Sequence, residues 1–231
     1  MPTTVFSTTL FSTTLFSTTL FSTTFQSALL LLCGSVLLGC TNVEKLIDRA
    51  STGDYELRRA AVDDIEVRLR DLRPNDPRAT EERARIDRFL VDRLRPSGES
   101  EPVLRAQYIS LALQGRLESA GAILESGAED PDWHVRNTAL KGFGEVKTPN
   151  TQQILTAALR SDPNAWNRLE AAKLFRHVGD AEWSRPLIEV LIDEGEDHSL
   201  RYQCYLSAVA LTGLDLPFVP KEWRSHLANG Q

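Results

Sequence analysis

The chain has 231 residues, and its 26 Lys and Arg against 32 Asp and Glu give a formal net charge of −6. All of the charged residues lie beyond Cys40, so residues 40–231 carry the same charge as the whole chain. Nucleic-acid-binding domains usually show a basic patch or stripe, and no basic excess exists here, so the composition disfavours a nucleic-acid partner.

The first 39 residues differ in character from the rest. Phe-Ser-Thr-Thr-Leu recurs every five residues from Phe6 to about Thr24. That period matches neither a strand nor a helix, so it indicates a low-complexity segment. An apolar run follows from Ala28 to Leu38. Because a membrane-spanning helix needs about 20 apolar residues, this shorter run predicts the core of a signal peptide.

The sequence Leu37-Leu38-Gly39-Cys40 resembles a bacterial lipobox. The resemblance implies that the Cys40 thiol is lipidated, that the chain is cut before it, and that residues 40–47 form a tether. Several acyl chains hold a protein firmly at a membrane, so we expect a bacterial cell-envelope protein with its folded part in the periplasm. Thr41 favours the outer membrane under the enterobacterial sorting rule. The alternatives are an uncleaved or differently cut signal and an incidental apolar N-terminus.

Residues 48–97 predict two helices joined by a turn. Residues 54–62 form an apolar pattern around Arg58 that is similar to helices farther along the chain. Residues 73–78, Arg-Pro-Asn-Asp-Pro-Arg, predict a turn, and residues 80–94 predict an amphipathic helix. The next arginine in register is Arg105, 47 residues after Arg58. We therefore expect an atypical first repeat with an insertion, since terminal repeats commonly differ from internal ones.

Four arginines recur at separations of 31, 32 and 33 residues. They are Arg105, Arg136, Arg168 and Arg201. Positions one before and three, four and seven after each arginine are mostly apolar or small, which lines one face of an α-helix. Asn167 breaks this pattern, whereas Cys204 fits it as a small core residue. A period in this range indicates stacked units, each buried only against its neighbours.

Each unit is predicted to contain two helices, A and then B, with the arginine on helix B. Apolar stretches that predict helices A lie at residues 122–124, 154–159 and 187–192. Asp130-Pro131 and Asp162-Pro163 precede helices B, where proline costs little. Gly144, Gly179 and Gly213 follow helices B and predict left-handed caps. Residues 221–227 predict a short capping helix.

The pattern Asp-Pro-x-x-x-Val-Arg-x-x-Ala-Leu at residues 130–140 resembles the HEAT repeat in its short bacterial form. Residues 162–172 match with Asn167 at the aliphatic position, and residues 195–205 match more loosely, with Gly195 where the aspartate would stand. The resemblance covers roughly residues 100–213. It implies an all-α fold, a right-handed α-solenoid of helical hairpins over residues 48–231, and a scaffold or adaptor whose B helices line a concave surface.

In this family the repeated arginine and the turn aspartate of adjacent units form a ladder along the stack. The ladder residues that the resemblance implies here are Asp130, Arg136, Asp162, Arg168 and Arg201. Arg201 lacks a matching aspartate, because Gly195 stands at that position. Pairing within the stack is the structural interpretation of these arginines, and ligand binding is the alternative.

The candidate binding surface depends on aromatic and basic residues, because tryptophan, tyrosine and arginine are enriched at binding hot spots. Trp133 and Trp166 lie three and two residues before their arginines, either in the core or exposed on the concave face. The candidate surface comprises Trp133, Asn137, Lys141, Trp166, Lys173 and Tyr202. The expected partner is a protein of unknown identity.

The sequence contains no convincing catalytic or metal-binding pattern. Its four histidines are scattered, and neither zinc-ligand spacing nor a nucleophile elbow nor a phosphate-binding loop occurs. The acidic run at residues 193–197 is too short for a calcium loop. We therefore expect no enzyme activity, no cofactor, no metal and no small-molecule substrate. Two alternatives stay open: a bilin lyase-type enzyme, as some short bacterial HEAT-like proteins are, and a structural spacer in an envelope complex.

Overall fold

The computed structural model describes residues 42–73, 76–95 and 97–228. Over these ranges the chain forms eleven α-helices, one short 3-10 helix and no β-strand, so the predicted all-α fold is confirmed. The helices are α1 (Val43–Ser51), α2 (Tyr55–Asp71), α3 (Pro77–Arg93), α4 (Pro102–Gln114), α5 (Ala120–Gly127), α6 (Trp133–Gly142), α7 (Thr151–Ser161), α8 (Ala165–Val178), α9 (Ser184–Ile192), α10 (His198–Thr212) and α11 (Pro220–Ala228). The pentapeptide repeat, the signal peptide and Cys40 lie outside the described residues.

The described residues from Val43 onwards form one compact unit of stacked helix pairs. The odd-numbered helices α1 to α9 are helices A, and the even-numbered helices α2 to α10 are helices B. Each B helix packs on the next one, from α2 through α4, α6 and α8 to α10. Helix α3 packs on α1 and on α4, so the residues predicted as an insertion form helix A of the pair that contains Arg105. The 3-10 helix Ala181–Trp183 leads into α9.

The buried apolar residues lie between the two layers of helices along the length of the stack. The residue one before the repeated arginine is fully buried in three of the helix pairs, as Leu104, Val135 and Asn167. The residue three after the arginine is buried as Ala171 and Cys204. Removing a side chain such as leucine or valine from water stabilises the fold by roughly 1.5–3 kcal/mol. The positions that predicted the helices in the sequence are therefore the positions that are buried in the structure.

Short polar side chains begin most of the B helices. Asp54, Asp132, Asn164 and Asp197 each accept a hydrogen bond from a backbone N–H in the first turn of α2, α6, α8 and α10. Such caps satisfy amides that lack a partner within the helix. The repeat therefore encodes the start of each helix as well as its buried face. Helix α4 begins with Pro102 and has no side-chain cap.

The helix ends correct one prediction. Gly213 caps α10 in the left-handed conformation with φ of 68°. Neither Gly144 nor Gly179 has a positive φ. Helix α6 instead tightens into three-residue hydrogen-bonded turns, with the N–H of Gly144 donating to the carbonyl of Lys141. Helix α8 leads through the extended backbone of Gly179 into the 3-10 helix.

Both ends of the stack are covered by short helices. Helix α1 begins within the segment predicted as a tether at residues 40–47, and its Val43 and Leu46 are buried. At the other end, Trp223 of α11 is fully buried and its indole N–H donates to the Pro217 carbonyl at 2.9 Å. Within the described ranges, no helix has the length and apolar character needed to cross a bilayer.

Candidate functional site

A row of ion pairs links each helix pair to the next. Arg105 holds Asp130 through two parallel bonds of 2.7 and 2.8 Å, and Arg136 holds Asp162 through two of 2.8 and 2.9 Å. The remaining amino group of each arginine donates to carbonyls of its own A–B turn. Each arginine therefore joins its own turn to the turn of the following pair. The geometry is bidentate, the strongest arrangement for guanidinium and carboxylate.

Glutamates supply the carboxylates of the outer rungs. Arg58 pairs with Glu99 at 3.2 Å, and Arg168 pairs with Glu196. Glu99 and Asp130 each lie six residues before the repeated arginine of their own helix pair. Glu196 lies five residues before Arg201, next to Gly195. The repeat pattern assigned no ladder acid there, because Gly195 stands at the position of the aspartate, although the acidic run at residues 193–197 surrounds it. The one-residue shift is the reason that it missed this rung.

Glu99 is the most buried carboxylate of the ladder, with a side chain 1% exposed. It accepts bonds from Arg58, from Arg93 at 2.9 Å, from the Tyr108 hydroxyl at 3.2 Å and from the Glu101 N–H at 3.0 Å. Burial by itself raises the pKa of Glu99, but the N–H and the two guanidiniums outweigh it and lower that pKa. Burial raises the pKa of Tyr108 to about 12. This cluster fastens α3 to the ladder.

Asn167, the exception to the apolar pattern, is a fully buried polar link between α6 and α8. Its amide nitrogen donates to Asp162 and to the carbonyl of Trp133, both at 3.1 Å, and its oxygen accepts from Asn137 at 3.0 Å. Burial by itself raises the pKa of Asp162. Hydrogen bonds from Arg136, from the Asn164 N–H and from Asn167 outweigh that effect, so the pKa of Asp162 is lowered. Asn137, predicted as a surface residue, is half-buried and already engaged.

The predicted aromatic residues are exposed. Trp133, Trp166 and Tyr202 are 47%, 69% and 46% exposed and lie in the first or second turn of α6, α8 and α10. Of the two positions considered for the tryptophans, the structure therefore shows the exposed one. Tyr202 also contacts other aromatic rings, at 5.9 Å from Tyr205 and 5.5 Å from Phe218 between ring centroids.

Two further large apolar side chains extend this series. Leu57 and Val103 are 57% and 52% exposed, in the first turn of α2 and of α4. Val103 lies two residues before its arginine, as Trp166 does, and this was a sequence signal for Val103 alone, because the other exposed residues lie at different offsets. We call the set of one exposed side chain from each B helix the apolar row. It consists of Leu57, Val103, Trp133, Trp166 and Tyr202.

The predicted lysines lie nearer the C-terminal ends of helices α6 and α8. Lys141 of α6 is exposed and has no ion pair among the described residues. Lys173 of α8 is half-buried and lies 3.6 Å from Glu170. Both occupy the position five residues after the arginine of their helix. The six predicted surface residues thus belong to three consecutive B helices, α6, α8 and α10, and the structure joins Asn137 and Trp133 directly through Asn167.

Cys204 and two members of the acidic run at residues 193–197 have structural roles. Burial raises the pKa of Cys204 to about 12, which keeps its thiol protonated and a poor nucleophile. In the acidic run, Glu194 pairs with Arg224 at 3.0 Å and Asp197 caps α10. Among the residues that the structure describes, no group of three or more His, Cys, Asp or Glu side chains could hold a metal ion.

The middle of the chain matches a known repeat family. Residues 88–176, from within α3 to within α8, match a family model described as HEAT repeats. No curated protein matches the sequence significantly. The matched segment contains the Arg105–Asp130 and Arg136–Asp162 rungs. HEAT repeats generally mediate protein–protein interaction and are typically non-enzymatic scaffolds. Residues 88–176 of this chain are therefore identified as HEAT repeats.

Proposed function

We propose that this protein is a lipid-anchored scaffold of the bacterial cell envelope that binds another protein along its B helices. The apolar row is the observation that carries the proposal. Singly exposed apolar side chains are normal, but here each of the five B helices exposes one near its N-terminus. Apolar surface that is bordered by polar side chains is typical of interaction sites.

Trp133 and Trp166 are the expected anchors within that surface. A tryptophan buries roughly 150–250 Å² when it is covered, so at about 25 cal/mol per Å² each could contribute a few kcal/mol to binding. Lys141 has no ion pair within the described part of the chain, so it is available to a partner carboxylate. Such a charge favours the correct orientation and encounter rate more than affinity.

The membrane anchor in this proposal rests on the sequence Leu37-Leu38-Gly39-Cys40. Helix α1 begins at Val43, three residues after the cysteine that would carry the lipid. Three extended residues reach about 10 Å. A lipidated Cys40 would therefore keep the first helix pair close to the headgroups, with later pairs available for a partner.

Metabolic labelling with a clickable fatty acid tests the anchor. We expect the wild-type protein to be labelled and to fractionate with membranes, and Cys40→Ser to lose both properties. Cys33→Ser is the matched control, since it also removes one cysteine from the N-terminal segment and should remain labelled. Equal labelling of the wild type and Cys40→Ser would reject the lipid anchor.

Site-specific photo-cross-linking in intact cells tests the binding surface. A photoreactive amino acid replaces Trp166 in one variant and Arg185 in the other; Arg185 lies on helix A α9 with a side chain 78% exposed. The proposal predicts a reproducible protein adduct from position 166 that position 185 does not give. Identical adducts at both positions, or none at position 166, would contradict binding along the B helices.

A further inference from the structure

The last arginine of the ladder differs from the others. Arg58, Arg105, Arg136 and Arg168 each pair with a carboxylate of the following helix pair. Arg201 has no ion pair among the described residues. Its Nε donates to the carbonyl of Leu191 at 3.1 Å, and its guanidinium carbon lies 5.6 Å from the centre of the Phe218 ring.

The amino groups of Arg201, Nη1 and Nη2, therefore have no acceptor within the described residues, although its Nε and one face are occupied. In the internal rungs, a bidentate carboxylate meets one edge of the guanidinium. The edge formed by the two amino groups of Arg201 offers the same fork of two donors. Arg201 thus presents a preformed carboxylate-binding edge.

Exposed apolar side chains lie on the same helix as Arg201 and next to Phe218. Tyr202, Leu206 and Val219 are 46%, 36% and 43% exposed. Tyr202 contacts Phe218, which precedes Val219, and Leu206 lies one helical turn after Tyr202. We call Arg201, Tyr202, Leu206 and Val219 the end patch. A charged fork beside exposed aromatic and aliphatic groups is a composition typical of protein-binding hot spots.

The internal rungs show what the end patch lacks. Helix α11 packs on α9, and within residues 42–228 no helix B follows α10. Inside the stack, Asp130 and Asp162 lie three residues before the helix that packs on the preceding B helix. The missing group is therefore a carboxylate in the turn before an amphipathic helix.

We propose that the end patch binds such a helix from another protein, with a carboxylate in the preceding turn bridging Nη1 and Nη2 of Arg201. The apolar face of that helix covers Tyr202 and Leu206 of α10. In this way the partner extends the stack by one B helix. This inference rests on the proposed protein-binding function and names the chemistry of one part of the partner.

A second copy stacked head to tail would not supply the carboxylate. The ladder acid lies six residues before the arginine in the pairs that contain Arg105, Arg136 and Arg168. The equivalent residues in the first helix pair, six and five before Arg58, are Thr52 and Gly53. The first pair therefore offers a hydroxyl where the rung requires a carboxylate, which favours a different protein as the occupant.

The probe is a fluorescent peptide of residues 160–178, which contains the Asp162 turn and helix α8 of this chain. Its binding to the full-length protein in detergent is measured by fluorescence anisotropy. Hydrogen bonds to charged groups contribute about 1.5–3 kcal/mol, or roughly 10- to 100-fold in affinity. We expect the Kd to rise at least about 10-fold for Arg201→Gln and for the peptide carrying Asp162→Asn.

Two variants keep this test decisive. Arg59→Gln, an exposed arginine on α2 at the opposite end of the stack, should bind the peptide like the wild type. Arg201→Lys retains the charge but not the fork, so it should still bind more weakly than the wild type even if Arg201→Gln folds poorly. Equal Kd values for the Asp162 and Asp162→Asn peptides, or no binding at millimolar peptide, would overturn the proposal.

Light scattering of the protein without peptide tests whether a second copy of the chain, and not a different protein, occupies the end patch. The proposal predicts the same mass for wild type and Arg201→Gln at every concentration. Concentration-dependent dimers that Arg201→Gln abolishes would assign the end patch to a second copy and reject a different partner. Neither outcome alters the photo-cross-link expected at Trp166, so failure of the end-patch proposal is distinguishable from failure of the B-helix surface.

Discussion

Individual ladder residues explain how neighbouring helix pairs keep their register. Arg136 binds the turn of its own pair and Asp162 of the next, and Asn167 binds the same carboxylate. A buried ion pair adds little net stability over apolar packing, but removing one partner leaves an uncompensated charge. We therefore interpret the ladder as a device that makes misaligned stacking costly.

Truncating one rung should destabilise the fold strongly. Asp162→Ala removes the paired charge of Arg136, one of the two acceptors of Asn167 and the acceptor of the Asn164 N–H, so we expect a loss of about 3 kcal/mol in the free energy of unfolding. Glu189→Ala is the control, because its pairs with Arg160 and Arg185 are exposed and worth less than about 1 kcal/mol. Urea unfolding measures both; similar losses for the two variants would refute the structural role of the rung.

Glu99 should make the stability depend on acid pH. Its folded-state pKa is lowered, so its stabilising effect is complete above the unfolded pKa, near 4.3, and is lost as the pH falls through the folded value. We expect the free energy of unfolding to decrease below about pH 4. The decrease should be smaller in Glu99→Gln. Urea unfolding between pH 3 and 7 checks this, and parallel curves for the two proteins would contradict it.

At the scale of helices, the sequence predicted buried faces better than boundaries. The spacing around Arg105, Arg136 and Arg168 predicted the B helices because it follows the helical period. Helix α1 was missed, because residues 40–47 were interpreted as a tether to Cys40, which left only part of its apolar face. Helix α3 was predicted as a helix but as part of an insertion, because its pairing with α4 depends on contacts that no local pattern encodes.

The side-chain cap at the start of a B helix should contribute measurably to the free energy of unfolding. Asp132 accepts from the N–H groups of His134 and Val135 at the start of α6. Replacing such a cap by alanine costs about 1 kcal/mol, so Asp132→Ala should shift the urea midpoint accordingly. Glu101→Ala, at the start of α4 where the side chain makes no capping bond, should shift it much less. A larger shift for Glu101→Ala would contradict the capping assignment.

At the scale of the whole molecule, the repeat period predicted a stack and a scaffold, and the helical architecture and the HEAT-repeat match support both. The sequence left Trp133 and Trp166 either in the core or on the surface. Residues in the first turn of a helix change direction by about 100° per position, so their exposure depends on where the helix begins. The sequence linked Arg201 to Gly195, but in the structure that turn supplies Glu196 to Arg168. The contact of Arg201 with Phe218 depends on how the chain folds back after α10.

The central claim is that the exposed tryptophans of the B helices capture a protein partner. The double variant Trp133→Ala, Trp166→Ala tests it most directly, by cross-linking in intact cells with mass spectrometry and by the melting temperature of the purified protein. Exposed substitutions usually change stability by about 0.5 kcal/mol or less, or roughly 1–2 °C here. The account predicts loss of the cross-linked partner with a nearly unchanged melting temperature. Undiminished cross-linking, or a melting temperature lowered by about 10 °C or more, would contradict it.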